Sequence, residues 1–169
     1  MAIEQATYTT LLIEGSFEIR QTDPMIVAVT PDRSLGGDSG FSTIFNYISG
    51  DNKAQKKIDM TTPVINTFEQ ESMTTAFVMP KRYAMEDLPL PRNAALKLTE
   101  VPSRLMAVVT FSGSVNPKRI QEQQQALTQW IRKQNAFEFG SFQLARYNPP
   151  FIPGFLKRNE VMIEIRKLP

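Results

Sequence analysis

Two amphipathic helix patterns, each followed by two segments of strand period, constrain this chain more than any other feature of its sequence. Phe41, Ile44, Phe45 and Ile48 fall at i, i+3, i+4 and i+7, so they share one helical face. Asp38 or Ser39 supplies the N-cap, and Gly50 stands where such a helix ends. Ile120, Leu127, Trp130 and Ile131 repeat the period, behind Asn116 as cap and Pro117 at the first helical position. Gln121 to Gln125 is the wet face of that second helix. Phe17 to Arg20 and Met25 to Thr30 read as strands before the first helix, and Ile58 to Val64 and Thr74 to Met79 after it. Pro63 marks an edge or a bulge, and Gln70 to Ser72 a hairpin turn. Leu96 to Thr99 and Leu105 to Phe111 precede the second helix, and Phe142 to Tyr147 and Val161 to Ile165 follow it. The loop Pro80 to Pro91 reads as the connection between halves.

Each half therefore reads strand, helix, strand, strand, which is an internal structural repeat. The expected class is α+β. Two pseudo-symmetric repeats give a curved antiparallel sheet or distorted open β-barrel, flanked by two helices, as one domain over residues 1–169.

Chemistry is constrained mainly by what the chain lacks. It has no cysteine and no histidine. Disulfides, thiolate catalysis and cysteine-based zinc sites are excluded, and with them the commonest metal ligand and general base. No nucleophile–base pair, carboxylate metal cluster or specific phosphate loop stands out, which argues against an enzyme. Gly36 to Gly40 is glycine-rich but has no following lysine. The net charge of +2 is too small for a nucleic-acid-binding face. No segment reaches the about 18 apolar residues of a membrane span. The first fifteen residues have no signal-peptide pattern, so the expected location is the cytoplasm.

Several short segments, each weak alone, gain weight from their order. They are Phe17-Glu18-Ile19-Arg20, Phe45 to Asn52, Lys57 to Val64 with Met60-Thr61-Thr62-Pro63-Val64 at its centre, Phe111-Ser112-Gly113, Tyr147-Asn148-Pro149-Pro150 and Lys157 to Val161. Together they resemble the SOUL/heme-binding protein family, from about Tyr8 to the C-terminus. The resemblance implies a pseudo-twofold distorted barrel with two helices. It also implies heme, or another tetrapyrrole, held on an apolar surface beside the first helix. By alignment the apolar contacts fall on Phe41, Phe45 and Phe151. Asp38, Asn46 and Ile152 stand where a basic residue would help, which leaves Lys157 and Arg158 as the nearest cations for propionates. One subgroup is thought to use an axial histidine; this chain has none, so the implied binding is by apolar contact.

Other residues carry weaker readings. Met60, Tyr47 and Tyr147 are chemically able to ligate iron. The favoured reading is that Met60 fills core space and that each tyrosine buries its ring and hydrogen-bonds its hydroxyl. The SOUL fold is similar to effector-binding domains of drug-sensing regulators, where a buried glutamate meets cationic aromatic ligands. Glu160 is the matching candidate for an apolar or cationic small molecule. Its plainer reading is a structural pair with Arg20 or Arg158. The aromatic late loop with Phe151 and Phe155 also suits a protein partner, which the sequence does not identify.

Overall fold

A computed structural model describes residues 3–35, 39–148 and 152–169. Asp38 and Phe151 lie outside the described residues. The elements run β1 (Glu4–Gln5), β2 (Tyr8–Glu14), β3 (Phe17–Thr22), β4 (Met25–Asp32), α1 (Ser39–Ile48), β5 (Thr61–Thr62), β6 (Val64–Phe68), β7 (Met73–Val78), β8 (Lys97–Val101), β9 (Leu105–Phe111), α2 (Pro117–Lys133), β10 (Ala136–Glu138), β11 (Gln143–Arg146) and β12 (Asn159–Lys167). The class is α+β, with two α-helices and antiparallel sheet among the described residues.

The chain divides into two compact units, Met1–Ala6 with Pro24–Pro102, and Thr7–Asp23 with Ser103–Pro169. In the first unit β6, β7, β4 and β8 pair antiparallel in that order, and β1 pairs parallel with β5. In the second the order is β2, β3, β9, β12, β11, with β10 also pairing β12. Neither unit's sheet closes into a barrel. The repeat is real, but its leading strands are exchanged. β3 precedes the first repeat and pairs with β9 of the second unit, whereas β8 precedes the second repeat and pairs with β4 of the first. The chain therefore crosses between units at Ala6/Thr7, Asp23/Pro24 and Pro102/Ser103, not within Pro80 to Pro91. That loop instead anchors the first unit through buried Leu88 and a one-turn helix at Met85–Asp87. Ile58 to Met60 is also not strand; only Thr61–Thr62 pairs before a cis Thr62–Pro63 peptide and β6.

The start of α1 is fixed by a residue that local sequence does not suggest. Asp32, at the end of β4, accepts hydrogen bonds from the Thr75 hydroxyl at 2.7 Å, the Arg33 N–H at 2.8 Å and the Ser39 hydroxyl at 3.0 Å. Burial raises the Asp32 carboxyl, but these bonds outweigh it and hold the group below its usual value. Gly40 is required by this contact, since a Cβ there would lie 2.3 Å from Asp32 Oδ2. The far end of α1 closes as a Schellman motif on Gly50, whose φ is +116°. Gly50 N–H donates to Tyr47 O and Asp51 N–H to Asn46 O. In α2 the Asn116 side chain accepts from Arg119 N–H at 2.8 Å, with Pro117 first in the helix, as the sequence predicts.

The helix faces differ in how they are used. Ile120, Leu127, Trp130 and Ile131 of α2 are all buried, and Trp130 stacks on Phe17 of β3 at 5.3 Å. In α1, Ile44, Tyr47 and Ile48 are buried against Ala28 and Phe77, whereas Phe41 and Phe45 are exposed. The Asp32→Ala variant should lose about 1–2 kcal/mol in urea unfolding, the range of a helix cap. The Gly40→Ala variant should lose stability as well, because its methyl displaces the same carboxylate.

Candidate functional site

Two arrangements stand out, one in each unit. The first is the outer face of α1. Phe41 and Phe45 lie one turn apart and stack with centroids 5.9 Å apart and planes 11° from parallel. They are 37% and 46% exposed. Phe41 also tilts at 58° against buried Phe77 of β7, at 5.1 Å, so its ring is braced from below. The helix thus presents two nearly parallel, stacked rings, one of them packed on buried Phe77. Ser42, Asn46 and Ser49, close to them in sequence, are also exposed and are neutral. An exposed aromatic surface of this kind suits a flat apolar ligand.

The second arrangement sits on the sheet of the other unit. Residues in register share a face, and Phe17 and Ile19 face α2. The opposite face carries Glu18, Arg20, Met106, Val108, Glu160 and Met162. Strand alternation suggests that Glu18 and Arg20 are solvated, but both are buried. Glu160 is fully buried, and its two oxygens accept four hydrogen bonds. Oε1 accepts from Arg20 Nη1 at 2.9 Å and the Tyr147 hydroxyl at 3.0 Å. Oε2 accepts from Arg20 Nη2 at 2.9 Å and Arg158 Nη2 at 2.8 Å. These fill the acceptor capacity of a carboxylate.

The network extends outward. Arg20 Nη2 also donates to Glu18 Oε2 at 2.7 Å, and the Thr10 hydroxyl donates to Glu18 Oε1 at 2.6 Å. The Arg20 guanidinium covers the Tyr8 ring at 3.8 Å, and that of Arg158 covers the Tyr147 ring at 4.0 Å. Arg158 Nη2 reaches the Tyr8 hydroxyl at 3.1 Å. Burial by itself would raise the Glu160 carboxyl, but hydrogen bonds and charge from Arg20 and then Arg158 hold it below its usual value. Burial and the Glu160 charge push the Tyr147 hydroxyl up, so it stays a protonated donor.

The other sequence candidates separate. Tyr47 is buried, donates its hydroxyl to Pro89 O at 2.6 Å and is pushed up to about 12 by burial. Met60 is half-buried and packs against the core of the first unit. Lys157 is half-buried and follows a one-turn helix, Gly154–Leu156, on which Phe155 and Leu156 are exposed. Phe41 and Phe45 are brought together; Lys157 and Glu160 belong to the other unit. Sequence reasoning named Arg20 and Arg158 as partners of Glu160 but missed Glu18, Tyr8 and Thr10. The available signal was a charged pair, Glu18 and Arg20, on one side of a strand whose other side is apolar. Among the described residues no group of three or more acidic side chains converges as a metal site, and no helix is long and apolar enough to cross a membrane.

A model described as the SOUL heme-binding protein matches residues 3–164. Heme-binding protein 2 of Mus musculus and that of Homo sapiens are each 28% identical over 165 residues, covering 90% of this chain and 79% of the relative. Among solved structures, the EcmrR C-terminal domain has a TM-score of 0.66 at 11% identity, covering 95% of this chain and 99% of that one. The structure of SAV2435 bound to tetraphenylphosphonium has a TM-score of 0.53 at 12% identity, covering 91% and 94%. At such identities these two likenesses concern the fold alone.

Arg20→Ala should cost about 3–5 kcal/mol in urea unfolding, because Glu18 and Glu160 are left buried beside each other. Arg158→Ala should cost less, since Arg20 still holds Glu160. Glu160 has a lowered pKa in the fold, so its stabilisation is present above the unfolded value of 4.5 and is lost as pH falls through the folded value. The stability gap between the native chain and Glu160→Gln should therefore be full at neutral pH and shrink in acid below about 4.5.

Proposed function

The chain belongs to the SOUL heme-binding protein family, and from that premise we propose that it binds heme or a related tetrapyrrole by apolar contact on the outer face of α1. The observation that carries this reading is the exposed, stacked Phe41–Phe45 pair, braced on Phe77. Two parallel rings fixed on a helix lose little freedom when a flat macrocycle covers them, so most of the apolar gain is retained. Phe41 and Phe45 hold the porphyrin face.

The residues present fit the macrocycle better than they fit the metal. The chain has neither histidine nor cysteine. Tyr47 and Tyr147 are committed as hydrogen-bond donors, and Met60 packs on the core. Binding accordingly uses no strong protein ligand to iron. When bound, the tetrapyrrole itself supplies any redox or ligand-binding chemistry; the protein supplies a surface that shields one face. This fits a carrier or buffer, not a catalyst.

Burying an aromatic side chain contributes about 1.5–3 kcal/mol, and these rings start half covered. Phe41→Ala and Phe45→Ala should each weaken hemin binding roughly tenfold, read from visible-absorbance titration. Unchanged affinity in the Phe41→Ala, Phe45→Ala double variant would remove the α1 face from the reading.

A further inference from the structure

The charged network around Glu160 is larger than a structural ion pair requires, and its two arginines are not equivalent. The Arg20 side chain is 3% exposed and grips both Glu160 oxygens and Glu18. The Arg158 side chain is 37% exposed and reaches Glu160 through a single nitrogen. Arg20 belongs to the wall, while Arg158 is an arm laid into a corner of it.

That corner has three parts. Glu160 Oε2 supplies an anionic acceptor, the Tyr147 ring a π-face and the Tyr8 hydroxyl a neutral acceptor. They converge on one guanidinium. A carboxylate edge together with an aromatic face is the chemistry that selects a planar, delocalised cation over a compact, strongly hydrated ammonium. The charge count agrees. Glu18 and Glu160 against Arg20 leave one net negative charge in the buried wall, and the Arg158 arm neutralises it. A monocation is what the corner lacks when the arm leaves.

We propose that the Glu160–Tyr147–Tyr8 corner is a binding site for a guanidinium- or amidinium-class monocation, which the native chain fills with its own Arg158. Arg158 is thus an internal competitor. An external planar cation takes the site by displacing the arm into water, where an arginine is well solvated. Arg20 keeps Glu160 ionised and oriented throughout, so the site exists whether or not the arm is in place. All of its residues lie in the second unit, so it is independent of the Phe41–Phe45 face.

The probes are benzamidinium chloride and methylguanidinium chloride, titrated calorimetrically into Arg158→Ala, with methylammonium chloride at matched ionic strength as control. Removal of the arm should give saturable one-to-one binding of both planar cations, at least tenfold tighter than methylammonium. The native protein should bind them at least tenfold more weakly, because its competent state is the minor one. Adding Glu160→Gln or Tyr147→Leu to Arg158→Ala should abolish or strongly weaken binding. Adding Phe41→Ala should leave it unchanged, which separates this site from tetrapyrrole binding. Should Arg158→Ala fail to fold, Arg158→Gln takes its place, keeping part of the side chain and a neutral amide without the charge. No binding by the folded arm-less variant, or equal binding by the native chain, overturns the proposal.

Discussion

Glu160 is a charge placed where water does not reach, and the structure around it is organised to make that tolerable. An isolated buried carboxylate costs several kcal/mol. Here four donors from three side chains fill its acceptor positions, and those side chains come from β3, from the residue just before β12 and from the residue just after β11. The network ties Arg20 to Glu160 across 140 residues of sequence. The position of β3 beside β9 therefore has an electrostatic as well as a ladder component. Removing Arg20 exposes that cost, whereas removing Arg158 leaves Glu160 held by Arg20 and Tyr147.

The strand exchange explains how that network is assembled. If each repeat folded onto its own leading strand, β3 would lie in the unit of β4. It lies instead beside β9, bringing Glu18 and Arg20 to the sheet that carries Glu160. In the other unit β8 takes the matching place beside β4 and carries Lys97 and Glu100, both exposed. The two repeats share a topology, but among the described residues the buried ionic face belongs to the second unit. The other has an apolar core beneath α1 and an aromatic surface above it. A pseudo-symmetric fold thus carries two unlike chemistries.

Much of the fold was legible in the sequence. Both helices and their ends follow from apolar period, Asn116-Pro117 and Gly50, since these are local signals. The exchange of β3 and β8 was not legible, because apolar alternation records that a strand has a buried face but not which sheet buries it. Asp32 as the anchor of α1 was missed for a related reason: it lies seven residues before Ser39, beyond the reach of local capping patterns. At the sites, Phe41 and Phe45 match a helical core stripe, and only packing reveals that Ile44, Tyr47 and Ile48 take the core while the two rings face outward. Glu18 and Arg20 look like the wet side of a strand because period cannot distinguish solvent from a buried partner charge.

In the function proposed above, a tetrapyrrole is recognised through its apolar face and not through its metal. The most direct test compares the dissociation constants of hemin and of iron-free protoporphyrin for the native protein, measured side by side by absorbance titration. Saturable one-to-one binding of both, with affinities within a few-fold, is the expected result. Binding of hemin with no saturable binding of the iron-free ring would mean that an iron ligand carries the affinity, and would contradict the account.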